Sequence, residues 1–186
     1  MLEIELKFRF DDWERAKQQV QEWGGRFLES RRERDHYFNA PDRDFRTTDE
    51  VFRLRCVDEV GILTYKGPKR GGGVKTRPEI EVPLATGTVT LADAEKLILA
   101  LGYRATAVVM KQRETYTLQR DGFELHLCFD HLGGVGRFVE IEIVTDESRT
   151  AEAAAVVEAV AKDLNLTVPE PRAYLRMVLD AKGIDA

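Results

Sequence analysis

The strongest constraint on this chain is alternation at its N-terminal end. Leu2, Ile4, Leu6, Phe8 and Phe10 are apolar, and Glu3, Glu5, Lys7 and Arg9 stand between them. Successive side chains of a strand point to opposite faces, so this reads as a strand with one apolar and one ionic face. Comparable strand patterns recur at about residues 35–39, 51–57, 62–66, 77–83, 109–118, 123–130 and 138–144. Most of the gaps are too short for the crossover helix that a parallel pair needs, which argues for antiparallel pairing. Arg120-Asp121-Gly122 supplies a hairpin turn between two of the strands. About eight such strands can close into a barrel and leave no edge.

Helical spacing fills the intervals. Asp12 reads as the N-cap of a helix with Trp13, Ala16, Val20 and Trp23 on one face, stopped by Gly24-Gly25. A second helix after Thr90 is expected to bury Leu91, Ala94, Leu97, Ile98 and Leu101 and to end at Gly102. The C-terminal third carries two apolar stripes, Val156, Val157, Val160 and Leu164, then Tyr174, Leu175, Val178 and Leu179. The expected fold class is α+β: an eight-stranded antiparallel closed β-barrel with peripheral helices. It is read as one domain over 1–186, with barrel strands over about 2–144 and C-terminal helices over about 151–182.

Composition narrows the function. Hydrophobic residues make up 43% of the 186, enough for a packed core. With 28 Lys plus Arg against 33 Asp plus Glu, the net charge of -5 argues against a nucleic-acid partner. No apolar run approaches the ~20 residues of a membrane span, and the N-terminus does not read as a signal peptide. Cys56 and Cys128 form no C-x-x-C, so neither a disulfide scaffold nor a zinc knuckle is expected. The expected location is the cytoplasm.

The ionic strand faces are more informative. Glu3, Glu5 and Lys7 share a face, as do Arg53 and Arg55, Arg77 with Glu79 and Glu81, Lys111 and Arg113, and Glu140 and Glu142. Lys66 and Asp130 each end an apolar strand. These could be ordinary solvated faces of amphipathic strands. They are, however, almost purely long cations and carboxylates, and the two signs read as segregated. Turned into a barrel, they would form a wet interior with a basic and an acidic cluster, since buried charge must be paired or hydrated. A polyphosphate with a divalent metal would answer both: guanidinium forks grip phosphate oxygens, and carboxylates hold Mg2+ or Mn2+.

Glu3-Ile4-Glu5-Leu6-Lys7 resembles the E-x-E-x-K signature of the CYTH proteins, the triphosphate tunnel metalloenzymes. The likeness continues through Asp35-His36-Tyr37-Phe38, Arg53-Leu54-Arg55, Tyr65-Lys66-Gly67-Pro68, Arg77-Pro78-Glu79-Ile80-Glu81 and Lys111-Gln112-Arg113. It extends to Phe129-Asp130-His131-Leu132, to residues 136–142 and to residues 170–174, so it covers nearly the whole chain. The Lys-Gln-Arg element and the stretch from Asp130 to Phe138 resemble the class IV adenylate cyclase branch.

The resemblance implies a tunnel of eight antiparallel strands that binds a nucleoside or inorganic triphosphate with Mg2+ or Mn2+. By position, Glu3, Glu5, Asp130, Glu140 and Glu142 would be metal carboxylates. Lys7, Arg53, Arg55, Lys66, Arg77, Lys111 and Arg113 would hold phosphates, and Glu79 and Glu81 would position metal or water. Lys66, Lys111, Arg113 and Tyr37 are the catalytic candidates, Tyr37 and Lys66 forming the dyad that activates water in related triphosphatases. The implied activity is conversion of ATP to cyclic AMP and pyrophosphate. The alternative is hydrolysis of tripolyphosphate or thiamine triphosphate, and a non-catalytic polyphosphate sensor is a third class. A homodimer is compatible with the resemblance. His36 and His131 read as structural. Gly71-Gly72-Gly73 lacks the G-K-[ST] ending of a Walker loop and reads as a flap or a plain hairpin loop.

Overall fold

In the computed structural model, which describes residues 2–69 and 75–184, strand and helix alternate as β1 (Leu2–Arg9), α1 (Trp13–Glu22), β2 (Arg26–Asn39) and α2 (Phe45–Thr48). There follow β3 (Val51–Val57), β4 (Val60–Lys66), β5 (Lys75–Pro83), α3 (Thr88–Ala100), β6 (Arg104–Arg120), β7 (Phe123–Leu132) and β8 (Gly136–Thr145). A turn of 3-10 helix leads into α4 (Thr150–Asp163), and α5 (Tyr174–Ala181) is the last helix. The strands close on themselves in the order β1-β5-β4-β3-β2-β6-β7-β8. The expected antiparallel barrel is the fold. The glycine-rich candidate flap, Gly71 to Gly73, lies outside the described residues.

The described residues cluster as two compact units. One contains β1, α1, β7, β8, α4 and most of β6; the other contains most of β2, β3, β4 and β5, with α3 and α5. In the first, Leu2, Ile4, Leu6 and Phe8 of β1 share a core with Leu125, Leu127 and Phe129 of β7 and with Val139, Ile141 and Ile143 of β8. Helix α1 covers this sheet with Trp13, Ala16 and Val20, and α4 covers it with Val156, Val157 and Val160. Because strand side chains alternate, sealing the apolar face under helices turns Glu3, Glu5, Lys7, Asp130, Glu140 and Glu142 to the inside of the barrel. In the second unit a smaller core joins Phe38, Leu54 and Ile98 with Phe52, Leu63, Leu91 and Ala94.

Local signals explain the punctuation. The Asp12 carboxylate accepts from the Arg15 backbone N–H and caps α1. The hairpin between β6 and β7 turns through Asp121 (φ 50°) and Gly122 (φ 76°), two left-handed residues as a type I′ turn requires.

Three expectations need correction. β2 begins at Arg26, well before residue 35, and β6 begins at Arg104. The leading part of β2 reads Arg-Phe-Leu-Glu-Ser-Arg-Arg and is mostly exposed, with Phe27 at 52% and Leu28 at 55%, so no apolar alternation announces it. α3 starts at Thr88, before Thr90. It buries Ile98, while Leu97 and Leu101 are exposed, because they lie on the helix flank away from the Leu91, Ala94, Ile98 stripe.

Candidate active site

The acidic part of the site is built on the first unit. Register sets Glu5 opposite Glu142 and Lys7 opposite Glu140 across β1 and β8, and His126 opposite Glu142 across β7 and β8. One carboxylate oxygen from each of Glu3, Glu5 and Glu142 lies within 4.8 Å of the other two. Three negative charges so close repel, and one way to relieve them is a shared proton. Burial, together with Glu140, Glu3 and Glu5 and against the pull of Arg113, raises the Glu142 carboxyl to about 8. A hard divalent cation with oxygen ligands is the other way, and the donor set fits one.

Arg113 organises the remaining carboxylates. Its Nε donates to Asp130 Oδ1 at 2.7 Å and its Nη2 to Asp130 Oδ2 at 2.5 Å, a two-point fork. The same Nη2 bonds Glu140, and Nη1 reaches Glu142 Oε1 at 3.5 Å. Lys7 Nζ lies 3.7 Å from Glu140 Oε1. Burial opposes a charge on Arg113, but Asp130 and Glu142 outweigh it and hold the guanidinium charged. Cys128 lies on the same face, its Sγ 3.8 Å from Glu142 Oε2, with its thiol pushed well up by burial.

The basic part lies in the second unit. Arg53 and Arg55 of β3 face Tyr37 and Asp35 of β2 in register. Arg55 grips Asp35 with a fork, Nε to Oδ1 at 2.7 Å and Nη2 to Oδ2 at 2.8 Å, and Arg53 Nη1 adds a bond to Oδ2 at 3.3 Å. Burial pushes the Asp35 carboxyl up, yet Arg53 and Arg55 overcome it and hold it below its ordinary value. Arg53 also interacts with Tyr37, and its Nε is buried without a hydrogen-bond partner among the described residues. Lys66 Nζ pairs with Glu79 Oε2 at 3.0 Å, and Glu81 accepts from Thr64 Oγ1 at 3.1 Å. Lys111 Nζ lies 3.2 Å from Glu33 Oε2 and 5.2 Å from the Tyr174 ring of α5.

The predicted residues are therefore sorted as follows. Lys7, Arg53, Arg55, Lys66, Arg77, Lys111, Arg113, Asp130 and Glu140 are all buried, and Glu3, Glu5, Glu79 and Glu142 are half-buried. Glu81 is exposed at the residue level. Arg77 has no ion-pair partner among the described residues. Asp130 and Glu140 are drawn to Arg113 and do not join the close trio of Glu3, Glu5 and Glu142. The signs are less segregated than alternation within single strands suggests, because neighbouring strands insert Asp35 beside Arg55 and Asp130 beside Arg113. Sequence reasoning missed Glu33. It is 1% exposed and forms ion pairs with Arg55 and Lys111, and its spacing of two from Asp35 and four from Tyr37 was the available signal. His36 bonds Glu95 of α3, and His131 is exposed on β7.

Comparison with known proteins decides the family, since the CYTH domain matches residues 1–174. This chain is a CYTH protein. MJ0240 of Methanocaldococcus jannaschii, which carries a provisional adenylate cyclase name, is 33% identical over 171 residues, 90% of this chain and 91% of that protein. Adenylate cyclase CyaB of Aeromonas hydrophila is 28% identical over 151 residues, 78% of this chain and 70% of that one. Among solved structures, the PH1819 protein of Pyrococcus horikoshii superposes with a TM-score of 0.81 at 33% identity, covering 96% of this chain and 98% of that one. HpAC1 from Hippeastrum shares the fold at a TM-score of 0.65 and 16% identity, covering 98% and 96%; its structure is described as revealing a dominant triphosphatase activity. CYTH enzymes act on triphosphates with metal, and the acidic trio of this CYTH chain could hold such an ion.

Proposed function

We propose that the chain converts ATP to cyclic AMP and pyrophosphate. The observation that carries the triphosphate part of this reading is the orphaned Nε of Arg53. It is a buried donor amid Arg55, Lys66 and Lys111, all of them buried cations. An unmet buried donor costs about 1–3 kcal/mol, and a phosphate oxygen would relieve it. Names of relatives at 33% and 28% identity favour cyclisation over hydrolysis.

In this reading Arg53, Arg55, Lys66 and Lys111 bind the phosphates, with Lys7, Arg77 and Arg113 adding positive charge. The ribose 3′-oxygen forms a bond to the α-phosphorus in line with the departing bond to the β-phosphate, and the hydroxyl proton leaves for solvent. The fixed cations neutralise charge that builds on pyrophosphate as it leaves, and they need no reorganisation to do so. Glu3, Glu5 and Glu142 would hold Mg2+ or Mn2+, which supplies Lewis acidity to the attacking hydroxyl and the phosphates. Asp130 and Glu140 keep Arg113 and Lys7 oriented, and Glu79 does the same for Lys66. Tyr37 orients Arg53.

The test is incubation with ATP, and separately with tripolyphosphate, in Mg2+ or Mn2+ across pH 7 to about 10, followed by product identification. Cyclic AMP with pyrophosphate is the expected result. Phosphate release without cyclic AMP overturns cyclisation in favour of triphosphate hydrolysis, and binding with no turnover leaves a polyphosphate sensor.

A further inference from the structure

Glu33 is a carboxylate in the wrong company for a site that binds polyanions. Its side chain is 0% exposed, and its Oε2 lies 2.9 Å from Arg55 Nη2 and 3.2 Å from Lys111 Nζ, ion-pair contacts that are not aligned as hydrogen bonds. Asp35 beside it has a different geometry, with both oxygens engaged by the arginines of β3. Asp35 therefore fixes the guanidinium planes. Glu33 instead stands as an ion-pair partner between a guanidinium and an ammonium, the place a phosphate oxygen takes when two cations share it.

A buried charge in that position has two opposite effects. Without ligand it compensates Arg55 and Lys111, which would otherwise be costly to bury. With ligand it remains a unit negative charge beside a polyanion, in surroundings that screen poorly. We infer that Glu33 is an internal counter-anion that limits polyphosphate affinity and speeds release of the polyphosphate product. It is a positioning residue that acts through Arg55 and Lys111, and the inference rests on the reading of this cluster as the phosphate site.

The experiment compares wild type with Glu33→Gln and Glu33→Asp in the full chain. Tripolyphosphate and pyrophosphate affinities are measured by calorimetry, with chelator and with Mg2+ or Mn2+, and pyrophosphate dissociation is followed by rapid mixing. Glu33→Gln keeps an oxygen for Arg55 and removes the charge, so both ligands should bind about tenfold or more tighter and leave more slowly. Glu33→Asp keeps the charge and should stay within about threefold of wild type. Glu33→Met, neutral and of similar length, gives the same reading should the Gln variant fail to fold. Unchanged or weaker binding by the neutral variants, with wild type binding normally, overturns this inference and leaves the phosphate site standing. If wild type binds neither polyphosphate under any of these conditions, the phosphate site falls and Glu33's role falls with it.

Discussion

Arg113 is held by Asp130, Glu140 and Glu142, and each of those carboxylates is held by it in turn. Removing the guanidinium strands several buried negative charges at once. Arg113→Ala is therefore expected to lose about 3–5 kcal/mol of stability in urea denaturation, beyond any loss of phosphate binding. Glu142 makes the opposite prediction. Its carboxyl rises to about 8 in the folded chain against an ordinary 4.5, so the folded state holds a proton that the unfolded state has released. Stability from this group is complete below about pH 4.5 and drains away as pH rises through about 8. In chelator, the melting temperature of wild type should fall over that window, and Glu142→Gln should flatten the fall. Identical pH profiles for the two proteins would remove Glu142 as its source.

At the scale of elements, legibility followed alternation. β1, β7 and β8 place a buried apolar row behind a row of charged or polar residues, and β3 alternates Phe52, Leu54 and Cys56 with Arg53 and Arg55, so sequence periodicity alone located them and most of the charged candidates. The first half of β2 has no such row, because both of its faces are polar or exposed, and it could not be read. Glu33 was lost with it. Ionic pairing between strands was illegible for a related reason: register depends on turns and long-range closure, and the local pattern is silent on whether Asp35 meets Arg55 or a neighbour. The sealed rows also carry the stability of the strands. Leu127 is fully buried on the apolar side of β7, with Cys128 and the site on the other. Leu127→Ala should cost about 2–5 kcal/mol in chemical denaturation with little change in turnover per folded molecule. At the turn between β6 and β7, Gly122→Ala should cost about 1–2 kcal/mol, since its φ of 76° is strained for a residue with a Cβ.

Among the described residues many ionic groups are buried, and most pair with one another, as Asp35 does with Arg53 and Arg55, Asp130 with Arg113 and Lys66 with Glu79. A polyphosphate should therefore act as a folding partner. At a concentration 100 times its dissociation constant, tripolyphosphate should add about 2.7 kcal/mol of stability, seen as a rise in melting temperature that sodium chloride at matched ionic strength does not reproduce. Among the described residues no helix is long and apolar enough to cross a membrane.

The pairing of Leu2 with Thr145, at opposite ends of the barrel sequence, has a bearing on biosynthesis. Within the barrel, β1 is synthesised before the other strands and is flanked by β5 and β8, so it must wait for the last barrel strand to emerge before it has both neighbours. Until then its hydrogen-bonding edge toward β8 stands unpaired, a natural client for a chaperone. Glu3 and Glu5 meet Glu142 only at that final seam, so a nascent chain cannot assemble the acidic trio before its barrel is nearly complete.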